Sequence, residues 1–156
     1  MNETSLDDVY RKFGEVSEAA QLLETELGTL LLESHAPELG LLQGDARPEA
    51  AAILRKINAS TLGNLLKRLE AREPNLAPAV EAMANALAER NRLSHTFFRQ
   101  HNFRRNSAEG RTVMLDDLEA IHSTLLGAYK LALALSGIDL DGHPPIAPPT
   151  RHLKLE

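Results

Sequence analysis

Residues 6–34, LDDVYRKFGEVSEAAQLLETELGTLLLES, decide the fold class. Leu6, Val9, Phe13, Val16, Ala20, Leu23, Leu27 and Leu30 follow one another at steps of three and four, the spacing of a buried stripe on a helix. Sustained over roughly three and a half heptads, that seam predicts one long helix. Ser5 or Thr4 is suited to cap it, and Asp7 and Asp8 suit the positive end of its dipole. His35-Ala36-Pro37 ends it, and a loop follows through Gly40 and Gly44.

The same periodicity returns near the other end of the chain. Met114, Leu118, Ile121, Leu125, Ala128, Ala132 and Leu135 predict a helix from about Ala108 to Ser136, stopped by Gly137. A second apolar line, Leu115, His122, Leu126, Tyr129 and Leu133, calls for a second packing partner, either another helix or another subunit. Between these ends, Pro48 opens a short helix to about Ile57, and Ser60 or Thr61 caps another that buries Leu62, Leu65, Leu66 and Leu69. After the break Glu73-Pro74-Asn75, with Asn75 as the expected cap, a fourth helix runs to about His101. Asn102 to Ser107 then forms a turn.

The expected architecture is therefore all-α, an antiparallel bundle of about five helices over residues 1–138. Residues 139–156 hold four of the eight prolines and are expected to be extended or disordered. Composition agrees with helices: 43% of the 156 residues are hydrophobic but only 4% aromatic, so Leu and Ala must fill the core. The absence of Cys removes disulfides and thiolate metal sites. With a polar, acidic start and apolar runs far short of a membrane span, the expectation is a cytoplasmic protein that does not contact the membrane.

Charge is unevenly spread. The chain carries −5 overall, yet residues 89–111 hold six arginines against two glutamates, a local +4 that leaves −9 for the rest. A basic patch on an acidic body steers a phosphate-rich ligand to one place. Inside that window lies Arg90-Asn91-Arg92-Leu93-Ser94-His95. The preceding stripe, Leu76, Val80, Met83 and Leu87, predicts apolar residues at 90 and 94, where the chain has Arg90 and Ser94. Polar groups on a packing face are costly unless paired or wet, so this is either a helix end leaving the core or a site built into a helix. A guanidinium offers a planar fork of donors to phosphate, and an imidazole moves protons near neutral pH. Arg90 and His95 would flank a phosphodiester, with Asn91, four residues before His95, orienting His95 or the phosphate.

These six residues, late in one long helix and followed by another, resemble the signature of the HEPN superfamily of helical nucleases. The resemblance implies a metal-independent endoribonuclease acting as a homodimer, with Arg90 and His95 catalytic at the subunit interface, Asn91 supporting them, and no cofactor. It also implies RNA as substrate, a toxin or defence role, and an antitoxin protein as partner. Arg92, Arg99, Arg104 and Arg105 would hold the RNA backbone. Some toxin members carry Tyr two residues after the His, where nucleotides are attached; this chain has Phe97 there, a departure that bears on that mode of control. The superfamily also includes members that only bind RNA or protein.

A rival reading comes from Glu119-Ala120-Ile121-His122, an E-x-x-H of the kind that binds metals in helical bundles. A single copy without further inward carboxylates predicts a hydrogen-bonded core or interface histidine instead. His35, His101, His143 and His152 are expected at the surface, and Asp116 and Asp117 in solvent. A structural or interaction protein, whose cluster binds a partner's acidic groups, is the third class.

Overall fold

A computed structural model describes residues 3–35 and 62–137. These form an all-α bundle. The elements are α1 (Leu6–His35), α2 (Leu62–Arg72), a 3-10 turn (Pro74–Leu76), α3 (Ala77–His95), α4 (Phe97–His101), a second 3-10 turn (Asn102–Asn106) and α5 (Ala108–Leu135). No strand occurs among the described residues. The expected short helix at 48–57 and the Pro-rich tail fall outside them.

α1 starts where the sequence places it. Asp8 N donates to Ser5 Oγ at 3.1 Å, while Ser5 N donates to Asp8 Oδ2 at 2.9 Å, so each side chain satisfies the other residue's backbone donor. Of its predicted seam, Val9, Val16, Ala20, Leu23, Leu27 and Leu30 are buried, and Phe13 packs partly against the same core. Facing them from α5 are Met114, Leu118, Ile121, Leu125, Ala128 and Ala132. Burying one Leu or Ile fully contributes about 1.5–3 kcal/mol. An exposed pair such as Arg11–Asp8 is screened by water and adds little, so the seams hold the bundle and the surface pairs do not.

Cross-contacts fix the helix directions. Thr4 meets Thr112, Lys12 meets His122, and Ser136 meets Glu26, so α1 and α5 run parallel. Arg90 meets Glu24 while Phe98 meets Tyr10, so α3 runs opposite to α1, and Arg92 on Asp117 places it opposite to α5 as well. α2 packs on α1 and α3. The second apolar line of α5 is largely used within the chain: Leu133 is buried, and Leu115, Leu126 and Tyr129 pack partly on the core.

Two local expectations are corrected. Asn75 does not cap α3; it lies inside the Pro74–Leu76 turn, and Leu76 is the N-cap with no side-chain bond. The helix expected to run unbroken to about His101 is interrupted at Thr96 (φ −131°, ψ −12°). There both the backbone N–H (2.9 Å) and the hydroxyl (3.1 Å) of Thr96 bond to the Arg92 carbonyl. The same hydroxyl-to-carbonyl bond occurs inside unbroken α1 and α5, as at Thr25 and Thr124, so it accompanies the break and does not cause it. The short helix α4 follows this break.

Candidate functional site

The buried face of α3 passes through Val80, Met83, Ala86 and Leu93 and continues into Phe97. Arg90 keeps phase with that face, four residues after Ala86 and three before Leu93, and is half-buried. Its charge is met by Glu24 of α1, whose Oε1 accepts from Nε. Ser94, expected on the same face, is exposed instead, because the face turns through Leu93.

Beside Arg90 the helix shows its outer surface. Asn91, His95 and Arg99 follow one another at intervals of four, and all are exposed. Arg90 Nη1 donates to Asn91 Oδ1 at 3.0 Å, which ties the half-buried guanidinium to this strip. Arg99 Nη2 donates to the His95 carbonyl at 3.2 Å, filling an acceptor left near the end of α3. The His95 ring has no hydrogen-bond or ion-pair partner among the described residues. Asn91 and His95 thus share the exposed surface of α3, as their four-residue spacing predicts, whereas Arg90, about 140° around the axis from His95, lies toward the buried face and meets this strip through Asn91.

Arg92 points the other way. Nη1 and Nη2 donate to Asp117 Oδ2 and Oδ1 at 2.8 and 2.7 Å, a two-pronged bond. Nε and Nη2 also donate to Glu89 Oε2 at 3.1 and 2.8 Å, and Nη1 reaches Gln100 Oε1 at 3.2 Å. Asp117 holds the Arg92 charge firmly, and Glu89 adds to that. The Asp117 carboxyl is in turn held below its ordinary 3.8, first by the Arg92 hydrogen bonds and, after an opposing burial effect, by His101. The expected phosphate-binding role for Arg92 therefore meets a guanidinium already engaged by carboxylates.

Two expectations of exposure also fail here. His101 is 4% exposed rather than at the surface, and Asp117 is a partner rather than a solvated acid. Asp117 Oδ2 lies 2.6 Å from His101 Nε2, and Arg104 Nη1 lies 3.0 Å from His101 Nδ1. A guanidinium only donates, so Nδ1 accepts and the ring proton sits on Nε2, donated to Asp117. The chain Arg92–Asp117–His101–Arg104 locks α3, α4, the second turn and α5 together. The sequence carried one signal for it: Leu93, Phe97 and His101 step by four, which continues the buried face. Nothing local signalled Glu24 or Asp117, whose partners lie 66 and 25 residues away.

The second turn presents the remaining basic residues. Arg104 and Arg105 are exposed, and Phe103 is 77% exposed between Asn102 and Arg104. Asn102 adopts φ +37°, a left-handed conformation that lets the chain reverse after His101. The turn rests on Gly110, where a Cβ would fall 2.1 Å from the Arg104 carbonyl oxygen, and Ser107 Oγ caps α5 by accepting from Gly110 N at 3.0 Å.

The Glu119/His122 pair is bound by a cation of the protein itself. Lys12 Nζ lies 2.8 Å from Glu119 Oε1 and donates to His122 Nδ1 at 3.0 Å. No cluster of three or more His, Asp or Glu suited to a metal ion occurs among the described residues, and no helix among them is long and apolar enough to cross a membrane.

The chain matches no protein-family model, no curated protein and no solved structure.

Proposed function

We infer that this protein is a metal-independent endoribonuclease, with His95 as the proton-transfer group and Arg90 as the cation that stabilises charge on the phosphoryl group. The observation that carries this reading is the exposed strip of Asn91, His95 and Arg99, with Arg90 anchored to it through Asn91. An imidazole with no partner among the described residues, one turn from Asn91 and from the exposed Arg99, is suited to a phosphodiester. The 2′-hydroxyl would lose its proton to a neutral His95 and attack the adjacent phosphorus. The bond from phosphorus to the 5′-oxygen breaks as that oxygen takes up a proton, giving a 2′,3′-cyclic phosphate and a 5′-hydroxyl.

One imidazole moves one proton, so the second group is His95 of another copy in a homodimer, as the HEPN resemblance implies. A cytoplasmic toxin or defence nuclease, controlled by an antitoxin protein, belongs to the same reading. Arg99, Arg104 and Arg105 would hold the RNA backbone, and binding should weaken as salt rises, because phosphate contacts release counterions. A non-catalytic RNA- or protein-binding dimer of the same kind is the second reading. It is favoured by the Glu24 carboxylate on Arg90, which already neutralises part of the charge a phosphate would need.

The deciding experiment incubates a labelled structured RNA with the protein in excess EDTA, alongside His95→Ala. Cleavage by the parent protein alone, leaving cyclic-phosphate ends, is expected. Saturable RNA binding without cleavage by either would replace the nuclease with the binding module.

A further inference from the structure

Tyr10 and Phe98 are the outer members of an otherwise packed aromatic cluster. Phe97 is buried, with Phe13 5.8 Å away between ring centroids and Phe98 set edge-on at 5.2 Å. Phe13 also lies 5.0 Å from Phe98, so the inner rings hold Phe98 in place. Yet Phe98 stays 41% exposed, and Tyr10, with its centroid 6.1 Å from that of Phe98, stays 45% exposed. Single exposed apolar residues are ordinary on protein surfaces. Two aromatic faces side by side, supported from beneath and bordered by cations, are a different case.

The border is specific. Arg105 Nη2 donates to the Tyr10 hydroxyl at 3.1 Å, which leaves the phenolic hydrogen to donate outward. Arg111 ties this corner down, with Nε on the Thr4 carbonyl at 2.6 Å and Nη1 on the Arg105 carbonyl at 3.2 Å. Arg99 follows Phe98 directly and is exposed, and Phe98 itself comes three residues after His95. An apolar protein partner seated on these rings would have to strip water from the neighbouring guanidinium groups without pairing them. A nucleotide meets both requirements, with a flat base for the ring and a phosphate for the arginine.

We propose that Tyr10 and Phe98, bordered by Arg105, form a base-stacking subsite for single-stranded RNA. The proposal rests on the ribonuclease reading and gives that site its substrate class. Bases in a duplex are stacked on one another and present no free face, so the subsite takes an unpaired strand. The two rings are inclined by 57°, so a base lies on one ring rather than being clasped between two. Every base has a π-face, so the subsite fixes where the strand lies and not which base is read.

The chain has two tyrosines, Tyr10 and Tyr129, and no Trp, so Tyr129→Phe leaves Tyr10 as the sole reporter of intrinsic fluorescence. The test titrates that variant, in EDTA and with His95→Ala added to prevent turnover, with an adenosine oligoribonucleotide and with the same strand annealed to its complement. The single strand is expected to quench Tyr10. Affinity is read by anisotropy of a dye-labelled strand, which does not depend on Tyr10 emission. Tyr10→Ala and Phe98→Leu, checked for folding by circular dichroism, are expected to weaken single-strand binding by about tenfold or more, with Tyr10→Phe largely retaining it. Saturable binding without quenching, and with full affinity in Tyr10→Ala and Phe98→Leu, overturns the subsite but leaves the nuclease reading standing. Equal quenching and affinity for the duplex overturns the single-strand assignment. Loss of a dimer in Tyr10→Ala by light scattering, with RNA affinity unchanged, assigns the face to contact between copies and overturns the proposal. No binding of either RNA, together with no cleavage by the parent protein, overturns both readings.

Discussion

Arg92 and His95 stand three residues apart on α3 and live in opposite worlds. Arg92 faces α5 and spends its donors on Asp117, Glu89 and Gln100, while the His95 ring faces solvent with no partner among the described residues. The inward group is fixed and electrically satisfied, which suits it to hold helices together. The outward strip is exposed and its imidazole has no partner among the described residues, which suits it to meet a ligand. A polar residue type therefore says little about role until its partners are known. Arg90 lies between the two cases, half-buried on Glu24 yet linked to the strip through Asn91.

The sharpest way to break this comparison is His95→Ala. Cleavage in EDTA should fall by about 10²–10⁴-fold, the usual worth of a general acid–base group, while the thermal midpoint stays unchanged. A large loss of stability in that variant would move His95 to the structural side. Gly110→Ala tests the inward region by steric means. Its new methyl would meet the Arg104 backbone, which cannot swing aside as a side chain could. A loss of about 3 kcal/mol in chemical denaturation is expected, and a neutral result would show that the second turn is free to move.

Asp117→Asn removes the charge at the centre of the inward network. Side chains there are roughly a quarter exposed (26% for Arg92 and 23% for Asp117), so the effect falls below that of a fully buried pair. A loss of about 2 kcal/mol at neutral pH is expected from denaturant melts. The sign of its pH dependence follows from the lowered Asp117 pKa. That stabilisation is complete above the ordinary value of 3.8 and declines as the pH falls below it, so parent and variant should converge under acid. Asp8, lowered chiefly by its bonds to Ser5, declines in the same window and should leave the variant some acid sensitivity of its own. Equal losses at pH 3 and pH 7 would contradict the ionic account. The smallest effect is expected at Asn102, where φ +37° costs an L residue more than glycine. Asn102→Gly should raise stability by up to about 1 kcal/mol, and a decrease would show that the Asn side chain itself holds the turn.

How much of this was legible beforehand depended on the range of the interaction. The seam of α1, the core line of α5 and the cap at Ser5 all depend on residues within one or two turns, and the sequence displays them directly. The end of the long helix at Thr96 was not visible, because neither Pro nor Gly marks a break between residues 92 and 100. The cluster Arg90-Asn91-Arg92-Leu93-Ser94-His95 stood out as a group of polar residues, but its division into inward and outward members did not. Its deciding partners, Glu24 and Asp117, sit on other helices.

By itself, then, the sequence determined an all-α chain, the extents of α1 and α5, and the basic window that contains the candidate site. Apolar periodicity and local charge are properties of short stretches, and burial rewards them in any bundle. Only the tertiary structure decided which polar groups of that window are spent and which remain available. A guanidinium or imidazole stays in solvent unless a partner such as a carboxylate, brought from elsewhere in the fold, offsets the cost of burying it. The packing of α3 against α1 and α5 supplies one to Arg90 and one to Arg92. It brings none to His95 among the described residues.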